Sequence, residues 1–211
     1  MKKPTKRSYQ SPARQQQADD TRRRIVDAAR TCFLAQGYAE TTIEAIAVEA
    51  SVAVPTVYAA FGSKKGVLAE ILHQARFGPE YQAILREAQA TTNPADRLRL
   101  TAKIVRQIYA GEHREITLLR GAAMVAPELA KAGESRESGR LKSQQINVDA
   151  LVASDSLRAD LTPEQAVDVL WAFTSREFYY MLVVERGWTP EAFEPWLADV
   201  LISSLLKPGT Y

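Results

Sequence analysis

The side chains that most often carry out covalent or metal chemistry are few and scattered in this sequence. It has two histidines, His73 and His113, which lie 40 residues apart, and a single cysteine, Cys32. Neither histidine has companion metal ligands at helical spacing, and Glu112 and Glu115 beside His113 are typical of a charged helix start. No glycine-rich phosphate loop, nucleophile elbow or Cys–His pair occurs. We therefore expect no enzymatic activity, no metal site and no cofactor.

Side chains suited to binding a nucleic acid are concentrated between residues 41 and 64. The candidates are Thr42, Val54, Pro55, Thr56, Tyr58 and Lys64. Their hydroxyl and ammonium groups can hydrogen-bond to phosphate oxygens and base edges, and the apolar members suit thymine methyl groups. They can act in this way only if ordered helices present them, so the surrounding sequence pattern is decisive.

Apolar residues around these candidates recur at helical spacing and predict three short helices. The stripe of the first helix ends before Gly37 and consists of Ile25, Ala28, Ala29, Cys32 and Phe33. The second helix begins at a capping box, Thr41-Thr42-Ile43-Glu44, in which a threonine hydroxyl and a glutamate carboxylate bond the first free amides. The buried stripe predicted for the second helix is Ile43, Ile46, Ala47 and Ala50.

The third helix follows a break at Ala50-Ser51-Val52 and carries Pro55 in its first turn, where the missing N–H costs nothing. Two short helices joined by a tight turn form a helix-turn-helix, whose second helix fits the major groove of B-DNA. Thr56 is then the best candidate for a hydrogen bond to a base edge. Thr42, at the start of the second helix, is placed to hold a phosphate through its amide and hydroxyl.

The same segment resembles the TetR-type repressors. The matching residues are Ala28-Ala29, Phe33, Gly37-Tyr38, Thr41-Thr42-Ile43, Ile46-Ala47, Ala50, Val52, Val57-Tyr58, Phe61, Ser63-Lys64 and Leu68. The resemblance implies that Tyr58 and Lys64 bind backbone phosphates, although core packing is the alternative for Tyr58. It also implies a homodimer that binds a palindromic DNA operator, and a small-molecule effector that tilts the helix at 64–77.

Several positions depart from the family pattern. Ser51 replaces a glycine in the turn, and Ala53 replaces a serine that caps the third helix. Lys65 stands where a glutamate is frequent, and Ala59 and Ala60 replace larger side chains. We therefore expect specificity to come from Thr56, methyl contacts and DNA shape more than from many polar contacts.

Composition excludes several classes of protein. Residues 1–66 hold 11 Lys and Arg against 6 Asp and Glu, whereas residues 67–211 hold 16 against 19. The basic part therefore coincides with the helix-turn-helix. The lone Cys32 excludes an intrachain disulfide and is expected in the core, with redox sensing as the alternative. No apolar run is long enough for a membrane span, so we expect a cytoplasmic protein without membrane partners.

Three regions are predicted along the chain. Residues 1–20 are polar and basic and are expected to be flexible, as an arm in the minor groove or as a solvated tail. Residues 21–66 form the DNA-binding domain, and residues 67–211 form a helical effector-binding and dimerisation domain. Turn signals place its later helices at 80–91, 94–110, 113–125, 134–153, 163–186 and 190–206. No strand pattern occurs, so the predicted fold class is all-α.

The last two predicted helices are apolar on more than one side, which is typical of helices that cover both their own bundle and a second subunit. The residues predicted at the dimer interface are Val167, Trp171, Phe178, Leu182, Phe193, Trp196, Leu197, Val200 and Leu201. A monomeric core is the alternative interpretation of the same pattern.

An effector pocket is expected among the helices that follow the DNA-binding domain. Its candidate lining consists of polar or aromatic residues on largely apolar helices: Arg106, Tyr109, Arg120, Met124, Phe173, Glu177 and Tyr180. An ordinary core or surface role is the favoured alternative for each of them. Arg120 would suit an anionic ligand if its side chain faces inward. The principal alternative for the whole chain is an interaction module that keeps this fold without sequence-specific DNA binding.

Overall fold

The structure is a computed structural model that describes residues 12–119 and 134–210. These residues form ten α-helices and a π-helical turn without a strand, which confirms the predicted all-α fold. The helices are α1 (Pro12–Gln36), α2 (Ile43–Glu49), α3 (Val54–Phe61), α4 (Lys64–Phe77), α5 (Pro79–Ala90), α6 (Pro94–Leu118), α7 (Glu134–Ala153), α8 (Pro163–Phe173), α9 (Arg176–Tyr179) and α10 (Pro190–Leu205), with the π-helix (Tyr180–Glu185) between α9 and α10.

Helix α1 begins earlier than the sequence predicts. It starts at Pro12, so the prediction of a flexible segment is wrong for residues 12–20, while residues 1–11 lie outside the described part. Side-chain hydrogen bonds one turn apart, such as that from Gln15 to Asp19 (3.0 Å), support this polar first half of the helix. A polar composition therefore did not distinguish a solvated helix from a flexible tail.

The chain divides into two compact units. Among the described residues, the first contains those up to Ile71 with Leu118 and Leu119, and the second contains Leu72–Thr117 and everything from residue 134 onward. The division falls within α4, five residues after the predicted domain boundary at residue 66. Of the helices described, none is by itself both long and apolar enough to cross a membrane.

The first unit has a small core built from α1 to α4. Ile25 and Phe33 of α1, Ile46 of α2, Val57 of α3 and Leu68 of α4 are all fully buried. The predicted stripes therefore do pack against one another. Gly37 ends α1 with a positive φ of 88°, as its position predicts.

The second unit has its core between α6, α7, α8 and α10. Four residues predicted at the dimer interface belong to this core: Val167, Phe193, Leu197 and Leu201. Val167 is 6% exposed and the other three are fully buried, so no surface remains on them for a partner subunit. Their assignment to the interface is wrong because a 3–4 residue spacing marks a buried stripe without showing what covers it.

Helix α6 runs without interruption through Gly111, where the sequence predicted a break. A Cβ atom at Gly111 would lie only 2.3 Å from the backbone oxygen of Ala75 on α4. This glycine therefore permits a close approach of two backbones and does not end a helix. The predicted helix at 113–125 is the end of α6 as far as Leu118, and its part beyond Leu119 lies outside the described residues.

The predicted helix at 163–186 is divided in the structure. Helix α8 ends at Phe173, the Thr174 hydroxyl donates to the backbone oxygen of Leu170, and Ser175 caps α9 by accepting from the amide of Phe178 (3.1 Å). A π-helix follows directly, and such turns are frequent at functional sites. The sequence contains no proline or glycine at this break, so helical spacing alone did not reveal it.

Candidate DNA interface and ligand cavity

Helices α2 and α3 form the predicted helix-turn-helix and make an angle of 107° with each other. Thr42 is the N-cap of α2, because its hydroxyl oxygen accepts from the amide of Ala45 (3.1 Å). The predicted capping box is wrong in its second half: with Thr42 at the cap, the third helical position is Ala45 and not Glu44. The Thr41 hydroxyl instead donates to the backbone oxygen of Gly37 (2.7 Å) and is buried.

Helix α3 buries one face and presents another. Val57 is fully buried, whereas Pro55 is exposed and Tyr58 is 49% exposed. Thr56 and Val54 are half-buried, and Pro55 stands in the first turn as predicted. Core packing is therefore not the role of Tyr58, which is exposed on the same helix as the candidate base-reading residues.

The turn between these helices is held in a strained backbone conformation. Ser51 has a φ of +53°, in the left-handed region that favours glycine. Its amide donates to Val48 (3.0 Å), and the next amide, of Val52, donates to Ala47 (2.9 Å). These bonds close the end of α2 and turn the chain toward α3, with a serine at the position of positive φ.

Lys64 has a structural role that the sequence did not predict. Its ammonium group donates to the backbone oxygens of Tyr38 (2.7 Å), Ala39 (3.0 Å) and Thr41 (2.7 Å), and it lies 4.6 Å from the centre of the Tyr38 ring. An ammonium group has three donors, and all three are used here. Lys64 therefore joins the start of α4 to the loop after α1, and its assignment to a DNA phosphate stays a prediction.

Arg22 makes a second such link, at the end of α3. Its guanidinium group donates to the backbone oxygen of Ala60, pairs with Glu70 (3.3 Å) and lies 4.3 Å from the centre of the Phe61 ring. It thereby satisfies a carbonyl at the C-terminal end of α3 and joins α1, α3 and α4. Nothing in the spacing of the sequence identified this residue, since its partners lie 38 and 48 residues away.

The second unit contains a cavity of about 940 Å³. Residues of α4, α5, α6, α7 and α9 line it, so it lies among the helices where an effector pocket was expected. Its apolar lining includes Phe77, Leu85, Ala88, Ile104, Val105, Ile108 and Ile146. Its charged lining consists of Arg76, Arg97, Arg140, Arg176, Glu112 and Glu177. A volume of this size suits a drug-sized or lipid-sized molecule.

Two of the seven predicted pocket residues line this cavity, Tyr109 and Glu177. Three others lie elsewhere. Arg106 pairs with Glu191 and Glu194. Phe173 packs edge-on against the Phe178 ring (5.0 Å between centres), and Tyr180 packs against His113 (5.7 Å). Arg120 and Met124 lie outside the described residues.

A buried carboxylate between two arginines forms one wall of the cavity. Glu112 is only 3% exposed; one of its oxygens lies 3.5 Å from Nε of Arg76 and the other 3.4 Å from Nε of Arg176. The guanidinium group of Arg176 also lies 3.9 Å from the centre of the Tyr180 ring. The interpretation of Glu112 as part of a charged helix start is wrong, because it lies inside α6 and faces two cations.

Tyr109 adds a buried hydroxyl to the cavity wall. It donates to the backbone oxygen of Thr174 (3.3 Å), at the break between α8 and α9. Burial raises the pKa of Tyr109 to about 12 from its ordinary value of 10, and the cations of Arg140 and Arg76 lower it by less. The hydroxyl is therefore neutral at physiological pH and can serve as a hydrogen-bond donor.

The fold and the exposed face of α3 define a helix-turn-helix unit that is followed by a separate helical unit with a cavity. Residues 25–71 match the model of the family "Bacterial regulatory proteins, tetR family". This part of the chain is therefore similar to the TetR family of transcriptional regulators. The search of curated proteins returned no match.

Solved structures with the same fold extend over almost the whole chain. NalD of Pseudomonas aeruginosa, the secondary repressor of the MexAB-OprM multidrug efflux pump, is 21% identical with a TM-score of 0.61, covering 90% of this chain and 99% of its own. SmeT, the repressor of the Stenotrophomonas maltophilia efflux pump SmeDEF, is 25% identical with a TM-score of 0.61, covering 91% and 95%. FadR of Bacillus subtilis, solved with stearoyl-CoA, is 18% identical with a TM-score of 0.59, covering 86% and 98%.

Proposed function

We propose that this protein is a homodimeric repressor that binds a palindromic DNA operator through α3 and releases it when a small molecule occupies the cavity. The observation that carries the proposal is the division of α3 into a buried face at Val57 and an exposed face at Pro55 and Tyr58. A surface helix held by its neighbours in this way can enter the major groove. Such a protein acts in the cytoplasm, where the DNA of a bacterium lies.

Four kinds of contact follow from the placement of the side chains. Thr56 hydrogen-bonds to a base edge, and Val54 and Pro55 contact thymine methyl groups. Tyr58 donates its hydroxyl to a phosphate. Thr42 adds a second phosphate contact, because its hydroxyl oxygen caps α2 as an acceptor and its hydrogen is left to donate.

The proposed dimer interface keeps the predicted residues that are not buried in the core: Trp171, Phe178, Leu182, Trp196 and Val200. Trp171 is 43% exposed, and Met181, Val184 and Trp188 of the same region are also exposed. Large apolar side chains on a surface mark an interaction site when they are grouped. A twofold dimer would place two copies of α3 on one palindrome.

The proposed effector site is the cavity of the second unit. The cavity is bounded in part by Arg76 and Phe77 of α4, and the same helix begins at Lys64 in the first unit. A ligand with different affinity for two positions of α4 would shift the population between them. SmeT has been solved with triclosan and FadR with stearoyl-CoA, so proteins of this fold accept small molecules.

The proposal is tested by selecting random duplex DNA with the purified full chain and with Thr56→Ala, and sequencing both bound pools. We expect a twofold symmetric motif for the wild type, and relaxed preference at one base in each half for the variant. The control is Thr117→Ala, an exposed threonine of the second unit, which should return the wild-type motif. Absence of any motif under salt that suppresses nonspecific binding would contradict the proposal and favour an interaction module.

A further inference from the structure

The charges around Glu112 indicate which chemical class of ligand the cavity takes. We propose that it takes an amphipathic organic anion, whose acid group binds Arg76 and Arg176 in competition with Glu112. The binding preference stands on the cavity alone, whereas any effect of the ligand on DNA rests on the proposed function.

The charges of the group at Glu112 do not balance. Arg76 and Arg176 share a single carboxylate, so the group carries a net formal charge of +1. The exposed fractions of the three side chains are 12% for Arg76, 28% for Arg176 and 4% for Glu112. Water therefore solvates this charge poorly, and a second anion beside the two guanidinium groups would balance it.

The existing pairs of Glu112 with the two arginines are long and incomplete. The distances of 3.5 and 3.4 Å lie at the long end of hydrogen-bond range. Nε of Arg76 and one oxygen of Glu112 are buried and make no hydrogen bond within the described part of the chain. A guanidinium group pairs best with a carboxylate through two parallel bonds, which neither arginine has with Glu112. An acid group entering from the cavity would supply the missing oxygens.

The remaining charges of the described lining favour the same ligand. Arg97 donates to the backbone oxygen of Thr91 (3.1 Å), which carries no charge to balance it. Glu177 is the second carboxylate of this lining and is exposed to solvent, which screens it. The described lining therefore contains four arginines and two glutamates.

The apolar lining explains why the anion must be amphipathic. Side chains such as Phe77, Leu85, Ile104 and Ile108 cover much of the wall and would contact a hydrocarbon or aromatic body. A small anion such as phosphate would leave this apolar surface in contact with water. The cavity therefore combines a cationic site with apolar space for the rest of the ligand.

Competition between the ligand and Glu112 for Arg76 would also affect how α4 is held against α6. Arg76 lies near the end of α4, next to Ala75, whose carbonyl meets Gly111 of α6. Glu112 follows Gly111, so the ion pair and the closest backbone approach lie side by side. An acid group that takes Arg76 from Glu112 weakens the link between α4 and α6 at this point.

Calorimetric titration of the full chain with decanoate, decanol and decyltrimethylammonium tests the proposal. These probes have similar unbranched alkyl chains, of nine carbons in decanoate and ten in the other two, and differ in the charge of the head group. We expect decanoate to bind about tenfold more tightly than decanol or better, since hydrogen bonds to charged groups contribute that much. Equal affinities, or tighter binding of the neutral or cationic probe, would overturn the proposal without any variant.

Variants then locate the acid group. Arg176→Met should abolish the preference for decanoate over decanol, and Glu112→Gln should increase decanoate affinity because a competing carboxylate is gone. Arg106→Met is the matched control: Arg106 is a half-buried arginine of α6 that pairs with glutamates but does not line the cavity. If Glu112→Gln weakened decanoate binding as much as Arg176→Met, competition would be refuted.

A DNA-release assay separates the two proposals. Decanoate that binds with the expected preference and also releases a selected duplex supports both. Decanoate that binds with this preference but leaves the duplex bound supports the anion site and contradicts control of DNA binding by such a ligand. Release of the duplex by decanol as effectively as by decanoate supports control by a ligand and contradicts the anion site.

Discussion

Replacing Gly111 by alanine tests the close contact between α4 and α6. The new Cβ atom would lie 2.3 Å from the backbone oxygen of Ala75, whereas ordinary contact begins at 3.4 Å, so the two backbones must separate by roughly 1.1 Å. Strain of this kind in a packed interior costs about 1–3 kcal/mol. The measurement is the free energy of unfolding of the second unit in urea, followed by circular dichroism.

Gly139→Ala is the matched control for this variant. Gly139 is also inside a helix, α7, but a Cβ atom there would have no neighbour within 4 Å. Both changes gain the same helix propensity, about 1 kcal/mol, so the difference between the two variants isolates the contact with Ala75. We expect Gly139→Ala to be more stable than the wild type and Gly111→Ala to be less stable than Gly139→Ala by about 1–3 kcal/mol.

The result that refutes this reasoning is equal stability of the two variants. It would mean that the backbones of α4 and α6 separate at no cost, and that Gly111 does not fix their spacing.

Three further predictions concern stability. Ser51→Gly should raise the free energy of unfolding by about 0.5–1 kcal/mol, because glycine adopts the positive φ without strain. Ser203→Gly inside α10 should lower it in the same urea titration. A lower free energy of unfolding for Ser51→Gly would contradict strain at this position. Lys64→Met should lower the free energy of unfolding by about 1–3 kcal/mol, whereas the exposed Lys142→Met should not. The affinity of Lys64→Met for DNA should depend on salt as steeply as that of the wild type. A shallower salt dependence would show that Lys64 binds a phosphate. The pKa of Tyr109 is about 12 in the folded protein and 10 in an unfolded chain, so its contribution to the free energy of unfolding is complete below pH 10. Between pH 10 and 12 we expect the free energy of unfolding to fall by about 1.4 kcal/mol for each pH unit. Tyr109→Phe should reduce this loss in unfolding measurements across that range, and an unchanged pH dependence would contradict the assignment.

The features that the sequence predicted well are those set by local chemistry. Gly37, the Gly78-Pro79 pair and Pro190 mark helix ends through backbone preferences that act within a few residues, and the structure places helix ends there. The apolar stripe of α1 is buried as predicted because a helical period of 3.6 residues puts those side chains on one face.

The features that it missed depend on partners far along the chain. Gly111 suggested a break and instead allows two backbones to touch, which requires knowing that α4 passes beside it. The three carbonyl partners of Lys64 lie more than 20 residues earlier, so its neighbours in the sequence do not reveal this link. Phe193 and Leu197 lie on a stripe of the right spacing for an interface, but only the packed structure shows that the core already covers them.

The central claim is that α3 of a dimer reads a palindromic site. It is tested most directly by titrating the selected duplex, and a scrambled duplex of equal length, with the full chain at several salt concentrations. We predict two chains per selected duplex, tighter binding to it than to the scrambled one at every concentration, and an affinity that falls steeply with salt. One chain per duplex, or equal affinity for the two duplexes, would contradict the claim.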